Sequence, residues 1–456
     1  MKSNNENKKV KVPVIAILAV FMVFILVSCE IDSSLNNSPN AINEESVKTA
    51  IGVNGLMIGM QVAAGDFYSG DRSRISSMWT RQMCAPDGLG RPQPVSWNSY
   101  QMQTDGFVDD MWLLGFRGIR IASDIINYSP TIDFGENNEA LRNTYIGTAK
   151  VYKAIILAEM AAFYGSVPIV ISTTLEAPQF VTQAQAYDEV QKLLSEALTH
   201  FANSGTVAQE LNFNGDGAMW IPVINSLKAR YYLHVKNYAQ ALVFANQGIS
   251  DPTLTLFSMY SDNSGEYSPW GHWCNTEVGQ PIRATNTFVN ALKTAGDSRL
   301  AEYFNPGTAG GEYWGFAYFD KAGADTTNEL KTGNLVTMKK YGSYSDFFPL
   351  ISYNETMFIK AEAKQRGGDG SAVNDLNTIL TSFGLQPYAG TDLLGEILKQ
   401  KYLTLFLEGQ SYTDMRRTGT LPSPNVPKRF IYPQSEKNAN PFVPLDSDGL
   451  VSAILP

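Results

Sequence analysis

The chain is poor in charge, in cysteine and in histidine. Charged residues make up 17% of its 456 positions, against about 25% in an average soluble protein. Lys and Arg number 35 against 44 Asp and Glu, a net charge of −9. We therefore expect no basic surface for a phosphate backbone and exclude nucleic acid as a partner. The 3 Cys and 3 His form no C-x-x-C pair and no close cluster, so we predict no metal site and no cofactor.

Hydrophobic and aromatic residues are plentiful instead. They account for 44% and 11% of the chain, and 37 Gly and 22 Pro accompany them. This composition is sufficient for a large core and argues against disorder. The length allows either several domains or one large helical scaffold. Cys84 and Cys274 have no partner assigned by any motif, so their pairing stays open.

The N-terminus has the features of a bacterial lipoprotein signal. Four lysines precede an uncharged apolar run, Val12 to Ser28, which is short for a membrane span. The run ends in Leu26-Val27-Ser28-Cys29, a pattern that resembles the lipobox, in which the cysteine receives a lipid. We predict a signal peptide over 1–28, a lipid anchor on Cys29, and a flexible linker over 29–42 that is rich in Ser, Asn and Pro. The globular part would then span 43–456.

The rest of the chain alternates helical segments with long loops, and few stretches indicate β-strands. Apolar residues recur every three or four positions over 149–164 and 183–201, which predicts amphipathic helices. Further helices are predicted from Pro222 to His234, from Tyr238 to Ile249, over 354–366 and over 372–380. Several form pairs with alanine at the crossing, which resemble tetratricopeptide units. The predicted fold class is mainly α: one compact domain of tetratricopeptide-like helix pairs, with aromatic-rich loop insertions and little β-structure.

The aromatic residues concentrate in three segments that we interpret as insertions between helices. These segments are 66–100, 260–273 and 303–319. A sugar ring has an apolar C–H face and a rim of hydroxyls, so flat aromatic surface flanked by hydrogen-bonding groups suits it. The candidate ligand-binding residues chosen on this chemistry are Asp71, Arg72, Trp79, Trp97, Asn98, Tyr100, Tyr267, Trp270, Trp273 and Trp314.

The order of short motifs resembles a known family. The lipobox is followed by Phe163-Tyr164-Gly165 with Val167-Pro168, then by Ile359-Lys360-Ala361-Glu362-Ala363, by Glu408-Gly409 with Asp414-Met415-Arg416-Arg417, and by Arg429-Phe430-Ile431-Tyr432-Pro433. This order is similar to that of SusD-like (SusD/RagB) outer-membrane nutrient-binding lipoproteins. The resemblance also implies an early helix over 111–127 and a late one over 405–417. Gln410-Ser411 departs from the family pattern, which has arginine after Glu-Gly.

The resemblance implies a non-catalytic, lipid-anchored protein on the cell surface. It would capture an oligosaccharide or polysaccharide and deliver it to a TonB-dependent, SusC-like transporter in the outer membrane. Three alternatives remain open: a RagB-like member that captures peptides, a surface glycoside hydrolase, and a lid that contacts only the transporter. For hydrolysis, Asp109 and Asp110 are the adjacent carboxylates, but neighbouring positions on a helix point about 100° apart. We therefore predict no catalytic residues, and a structural role for the charged group Glu408, Asp414, Arg416 and Arg417.

Overall fold

The computed structural model describes residues 44–85, 92–100, 102, 106–171, 176–276, 282–308, 310–318 and 335–446. The predicted signal peptide, Cys29 and the linker lie outside these residues. Residues 1–48 and 49–456 form separate units. The first unit contributes one helical turn, α1 (Glu44–Val47). Among the described helices none is both long and apolar enough to cross a bilayer.

The second unit is built mainly from helices, as predicted. Its helices are α2 (Ala50–Ser69), α3 (Asp71–Trp79), α4 (Pro92–Asn98), α5 (Phe107–Tyr128), α6 (Asn138–Tyr164), α7 (Gln183–Phe201), α8 (Gly217–His234), α9 (Tyr238–Ala245), α10 (Pro269–Thr276), α11 (Asn286–Thr294), α12 (Arg299–Tyr303), α13 (Tyr353–Arg366), α14 (Ala372–Ser382), α15 (Leu393–Thr404), α16 (Gln410–Thr418) and α17 (Gln434–Ala439).

The strands that the structure describes are short and pair two by two, all antiparallel. The pairs are β1 (Met83–Cys84) with β5 (Arg283–Ala284), β2 (Val167–Pro168) with β3 (Phe180–Val181), β4 (Leu256–Ser258) with β8 (Phe348–Ile351), and β6 (Phe304–Asn305) with β7 (Thr337–Met338). These pairs join segments that are distant in the sequence.

The helix pairs pack as the alanine pattern predicts. Helices α6 and α7 lie side by side, and α8, α9 and α13 share a small core in which Ala229, Ala241 and Ala363 are buried. Small side chains let the helix axes approach closely. At the start of α7, Thr182 and Gln185 form a reciprocal capping box, which fixes where that helix begins.

Several predicted helix boundaries are wrong: α6 begins at Asn138 and not at 149, and α9 ends at Ala245 and not at Ile249. Pro222 does not open α8, which begins at Gly217 after the Asp216 cap, so the proline lies within the helix. The last predicted helix begins at Gln410, not at Leu405, because Leu407 and Gly409 have φ of +66° and +79°. Gly409 is required there, since a Cβ would lie 2.6 Å from Nη1 of Arg72.

A buried polar network joins five elements at the centre of the fold. The Glu159 carboxylate of α6 accepts hydrogen bonds from Arg72 and from Gln410 Nε2. His234 Nε2 lies 3.1 Å from Gln410 Oε1, and Tyr187 Oη lies 2.9 Å from His234 Nδ1. Because an amide oxygen only accepts, His234 Nε2 carries a proton, and Tyr187 Oη can donate to Nδ1 of the neutral ring. Burial alone would raise the pKa of Glu159, but the Arg72 and Arg230 charges lower it overall.

Asp414, Arg416 and Arg417, three of the four charged residues for which a structural role is predicted, make buried contacts within the fold. Arg417 pairs with both Glu362 of α13 and Asp414, and Asp414 also receives Lys401 Nζ at 2.8 Å. Arg416 Nη1 donates to the Lys428 carbonyl at 2.7 Å. These bonds fix α16 against α13 and α15.

The neutral, buried state of His234 makes stability depend on pH. Burial lowers the pKa of His234 well below its ordinary value of 6.5, although the Glu159 charge opposes the shift. Below pH 6.5 the unfolded chain therefore binds a proton that the folded chain does not. The free energy of unfolding should fall with decreasing pH, at up to about 1.4 kcal/mol per unit from this group.

Denaturant unfolding between pH 5 and 7 checks this expectation. In a His234→Gln variant, which retains a donor toward Gln410, the pH dependence should be weaker than in the native chain. An equal slope in both proteins would contradict the assignment.

Candidate functional site

The predicted ligand residues fall into two groups, of which one is buried. Trp79, Trp97, Asn98, Arg72 and Trp270 are each at most 3% exposed. Arg72 is bound to Glu159, and Asn98 pairs with the backbone of Ala85 through both its amide atoms. Their side chains therefore have no free surface for a ligand in this structure. The segments that contain them also form helices α3, α4 and α10, and not the loop insertions that we expected.

The remaining candidates lie at or near the surface. Tyr100 is half-buried and packs against the main core at a φ of +62°. Trp314 is half-buried beneath Lys293, whose Nζ lies 4.5 Å from the ring centre. Asp71, Tyr267 and Trp273 are half-buried too, and they lie on or near helix α10: Tyr267 just precedes it, Trp273 belongs to it, and Asp71 pairs with the Arg74 that covers Trp273.

Helix α10 and its surroundings form a surface that combines rings with charged and polar groups. We call it the ring surface, made of Asp71, Arg74, Tyr267, His272, Trp273 and Tyr344. The Tyr267 and Tyr344 rings stack with centroids 4.1 Å apart, and His272 lies 5.8 Å from Tyr267 at an angle of 19°. A helix of eight residues is only about 12 Å long, so these rings cover a compact area.

Polar groups border the rings. The Arg74 guanidinium lies 4.9 Å from the Trp273 ring centre and pairs with Asp71 at 2.9 Å. Asn275 at the end of α10 is exposed. Aromatic faces beside a guanidinium, a carboxylate and an amide can contact both the apolar face and the hydroxyl rim of a sugar.

Buried contacts hold α10 in place. Trp270 Nε1 donates to Ser73 Oγ at 2.9 Å, and Ser73 Oγ in turn donates to the Leu407 carbonyl. The Trp270 ring meets the Trp273 ring edge-on at 5.9 Å. Trp270 is therefore a positioning residue, because its buried ring packs against the Trp273 ring.

Close backbone packing fixes Tyr344 against α10. Ser268 N donates to the Tyr344 carbonyl at 2.7 Å, and Asn275 Nδ2 donates to the Gly342 carbonyl at 2.8 Å. A Cβ on Gly271 would lie 2.0 Å from the Ser343 carbonyl oxygen. Only glycine lets the 342–344 segment approach the helix this closely.

A Gly271→Ala substitution should therefore separate the 342–344 segment from α10. We expect a loss of about 1–3 kcal/mol in stability from overpacking and a loosened Tyr267–Tyr344 stack. Unfolding midpoints and ligand affinity measure the two effects. Gly55→Ala is the matched control, since no atom lies within 4 Å of its new Cβ. It should be neutral or stabilising by up to about 1 kcal/mol; equal behaviour of both variants would contradict the packing argument.

The other chemistries considered from the sequence have no support from the geometry. Asp109 on the first turn of α5 accepts from Ser435 Oγ at the start of α17, so it fastens the C-terminal segment. Cys84 and Cys274 are both free thiols, and burial raises the pKa of Cys274 to about 11, which opposes thiolate chemistry. Among the described residues, no three His, Cys, Asp or Glu side chains are grouped to hold a metal ion.

Comparison with known proteins then decides the family. A family model described as "Starch-binding associating with outer membrane" matches residues 93–433. The chain belongs to this SusD-like family. No curated protein matches the chain.

Solved SusD-like structures share the fold. A SusD/RagB family protein from Bacteroides thetaiotaomicron has a TM-score of 0.67 at 18% identity, over 86% of this chain and 94% of that one. A chitin-binding protein has a TM-score of 0.67 at 19% identity, over 85% and 94%. A SusD homologue from Bacteroides fragilis has a TM-score of 0.65 at 18% identity, over 86% and 94%. The resemblance read from short motifs is thereby confirmed, and the SusD-like fold with it.

Proposed function

We propose that this SusD-like protein is a non-catalytic surface lipoprotein that captures oligosaccharides on the ring surface. The observation that carries the proposal is the Tyr267–Tyr344 stack at the start of α10, together with Trp273 of the same helix, which Arg74 and Asp71 border. The low charge content of the chain and the flat rings of the ring surface suit an uncharged sugar chain. The starch-binding description of the family and the chitin-binding neighbour support the same ligand class.

The cellular part of the proposal follows from the sequence motif and the family. Lipidation of Cys29 would attach the protein to the outer membrane, with which the family is associated. A captured glycan would then pass to a TonB-dependent, SusC-like transporter. Co-purification of such a transporter with the full-length protein from native outer membranes tests this step; recovery without any transporter would argue against it.

A binding array tests the ligand class. The full-length protein in detergent is applied to immobilised malto-oligosaccharides, chito-oligosaccharides, other neutral glycans and a peptide library. We expect binding to at least one neutral glycan and no release of reducing sugar. Binding to peptides alone would favour a peptide-capturing role, and release of reducing sugar would favour a glycoside hydrolase. No binding to either class would favour a structural lid.

A further inference from the structure

A cleft elsewhere in the structure shares no lining residue with the ring surface. It is a cleft of about 410 Å³ between α12, the 339–347 segment and the turn that follows α15. We call it the α12 cleft. Its volume falls in the range of small-molecule sites, about 300–1,000 Å³. None of the residues chosen from the sequence as ligand contacts lines it.

Five aromatic residues are among those that line the α12 cleft: Phe257, Tyr303, Tyr341, Phe347 and Phe383. Tyr303 and Tyr341 are buried in its floor, and Phe347 lies at its rim with 45% of its surface exposed. Phe257 lies 6.1 Å from Phe347 between ring centres and lines the same cleft.

A buried carboxyl group lies among these rings. Glu408 is 4% exposed. Among the described residues, Tyr341 Oη donates a hydrogen bond to the Glu408 carboxyl at 3.3 Å. This bond is long for an O–H donor, and it engages Oε1. The other oxygen retains capacity for a ligand hydroxyl.

The charges of the cleft offset one another. Lys339 Nζ donates to the Ala301 carbonyl at 2.9 Å, and Lys340 Nζ lies 3.9 Å from Glu302. Asp346 accepts from the Ser343 N–H. Burial raises the pKa of Glu408 to about 8, although Lys340 opposes the shift, so Glu408 is largely protonated at neutral pH and can donate as well as accept.

We propose that the α12 cleft is a second carbohydrate site, which takes a mono- or disaccharide unit. An anion would meet Asp346 and the Glu302 carboxylate, and a cation would meet two lysines, so an uncharged ligand fits best. Its C–H face would lie on Phe347, and its hydroxyls would bond to Glu408 and Lys340. The inference rests on the proposed function for its ligand class, but it concerns different residues.

The two sites share one short segment. Tyr344 belongs to the ring surface and Phe347 to the cleft, and three residues span at most about 11 Å. A long glycan therefore has both sites within reach, and the two must be separated by disaccharide probes and by variants.

The test is calorimetric titration of the full-length protein in detergent with maltose and with diacetylchitobiose. Phe347→Ala removes the rim ring of the cleft, and Phe442→Ala is the matched control, since Phe442 is 44% exposed elsewhere. We expect Phe347→Ala to weaken binding of at least one disaccharide 10-fold or more in a Trp273→Ala background, with Phe442→Ala unchanged.

A second pair of variants addresses Glu408. Glu408→Gln keeps a donor and an acceptor and should retain binding, whereas Glu408→Leu should lose it; the unfolding midpoint shows whether each is folded. If Trp273→Ala abolishes all disaccharide binding, or if neither disaccharide binds the native protein, the cleft is no sugar site. Binding of longer glycans to the array would still support the ring surface, so the two proposals fail separately.

Discussion

Trp273→Ala is expected to weaken oligosaccharide binding by about 30-fold, which corresponds to about 2 kcal/mol for a central aromatic contact. Trp273 is the largest ring of the ring surface, and Arg74 and Trp270 both pack against it. The loss should appear in titrations with the longest glycan that binds on the array.

Trp314→Ala is the comparison for this prediction, because Trp314 is also half-buried and also lies beside a cation. The two variants should differ: binding falls in Trp273→Ala and changes less than threefold in Trp314→Ala. The reverse pattern would place the binding site at Trp314 instead. Equal affinity in the native chain and both variants would contradict an aromatic platform at either place.

Glu159→Ala is expected to lower the free energy of unfolding by about 3–5 kcal/mol, because it leaves the fully buried Arg72 without its partner. Gln410 also loses its hydrogen bond to Glu159, and Gln410 is in turn the partner of His234. Urea unfolding at pH 7 measures the effect as a lower midpoint at an unchanged slope.

Two controls separate the buried charge from other causes. Glu196→Ala breaks a surface pair with Lys150, in which the Glu196 side chain is 39% exposed, and should cost less than about 1 kcal/mol. The double variant Arg72→Met with Glu159→Leu removes both charges and should be more stable than Glu159→Ala alone. A double variant as unstable as Glu159→Ala would show that packing, and not the stranded charge, dominates.

Local pattern predicts the helices of this protein well. The boundaries of α7 coincide with the predicted 183–201 because its apolar stripe and its capping box are both local. The predicted start of α8 at Pro222 is wrong because the first-turn preference of proline is only a tendency. Helix α8 accommodates this proline after its first turn. The helix predicted from Leu405 begins later because Arg72, distant in sequence, packs against the Gly409 backbone.

The ligand surface could be predicted only in part. Asp71, Tyr267 and Trp273 were chosen from composition and lie on the ring surface, whereas Trp79, Trp97 and Trp270 have the same local composition but are buried. Only tertiary packing separates the two groups. Tyr344 was missed because it follows α10 by about seventy residues; the Gly271 contact that brings it there has no local signature. The α12 cleft was missed for the same reason, since it joins α12 to the turn after α15.

The most direct test of the ring surface as a glycan site is a crystal structure of the protein with a bound oligosaccharide that scores on the array. We predict sugar rings stacked on Trp273 or on the Tyr267–Tyr344 pair, with hydroxyls bonded to Arg74 or Asp71. Sugar found only at other surfaces, with these rings left open to solvent, would contradict the account.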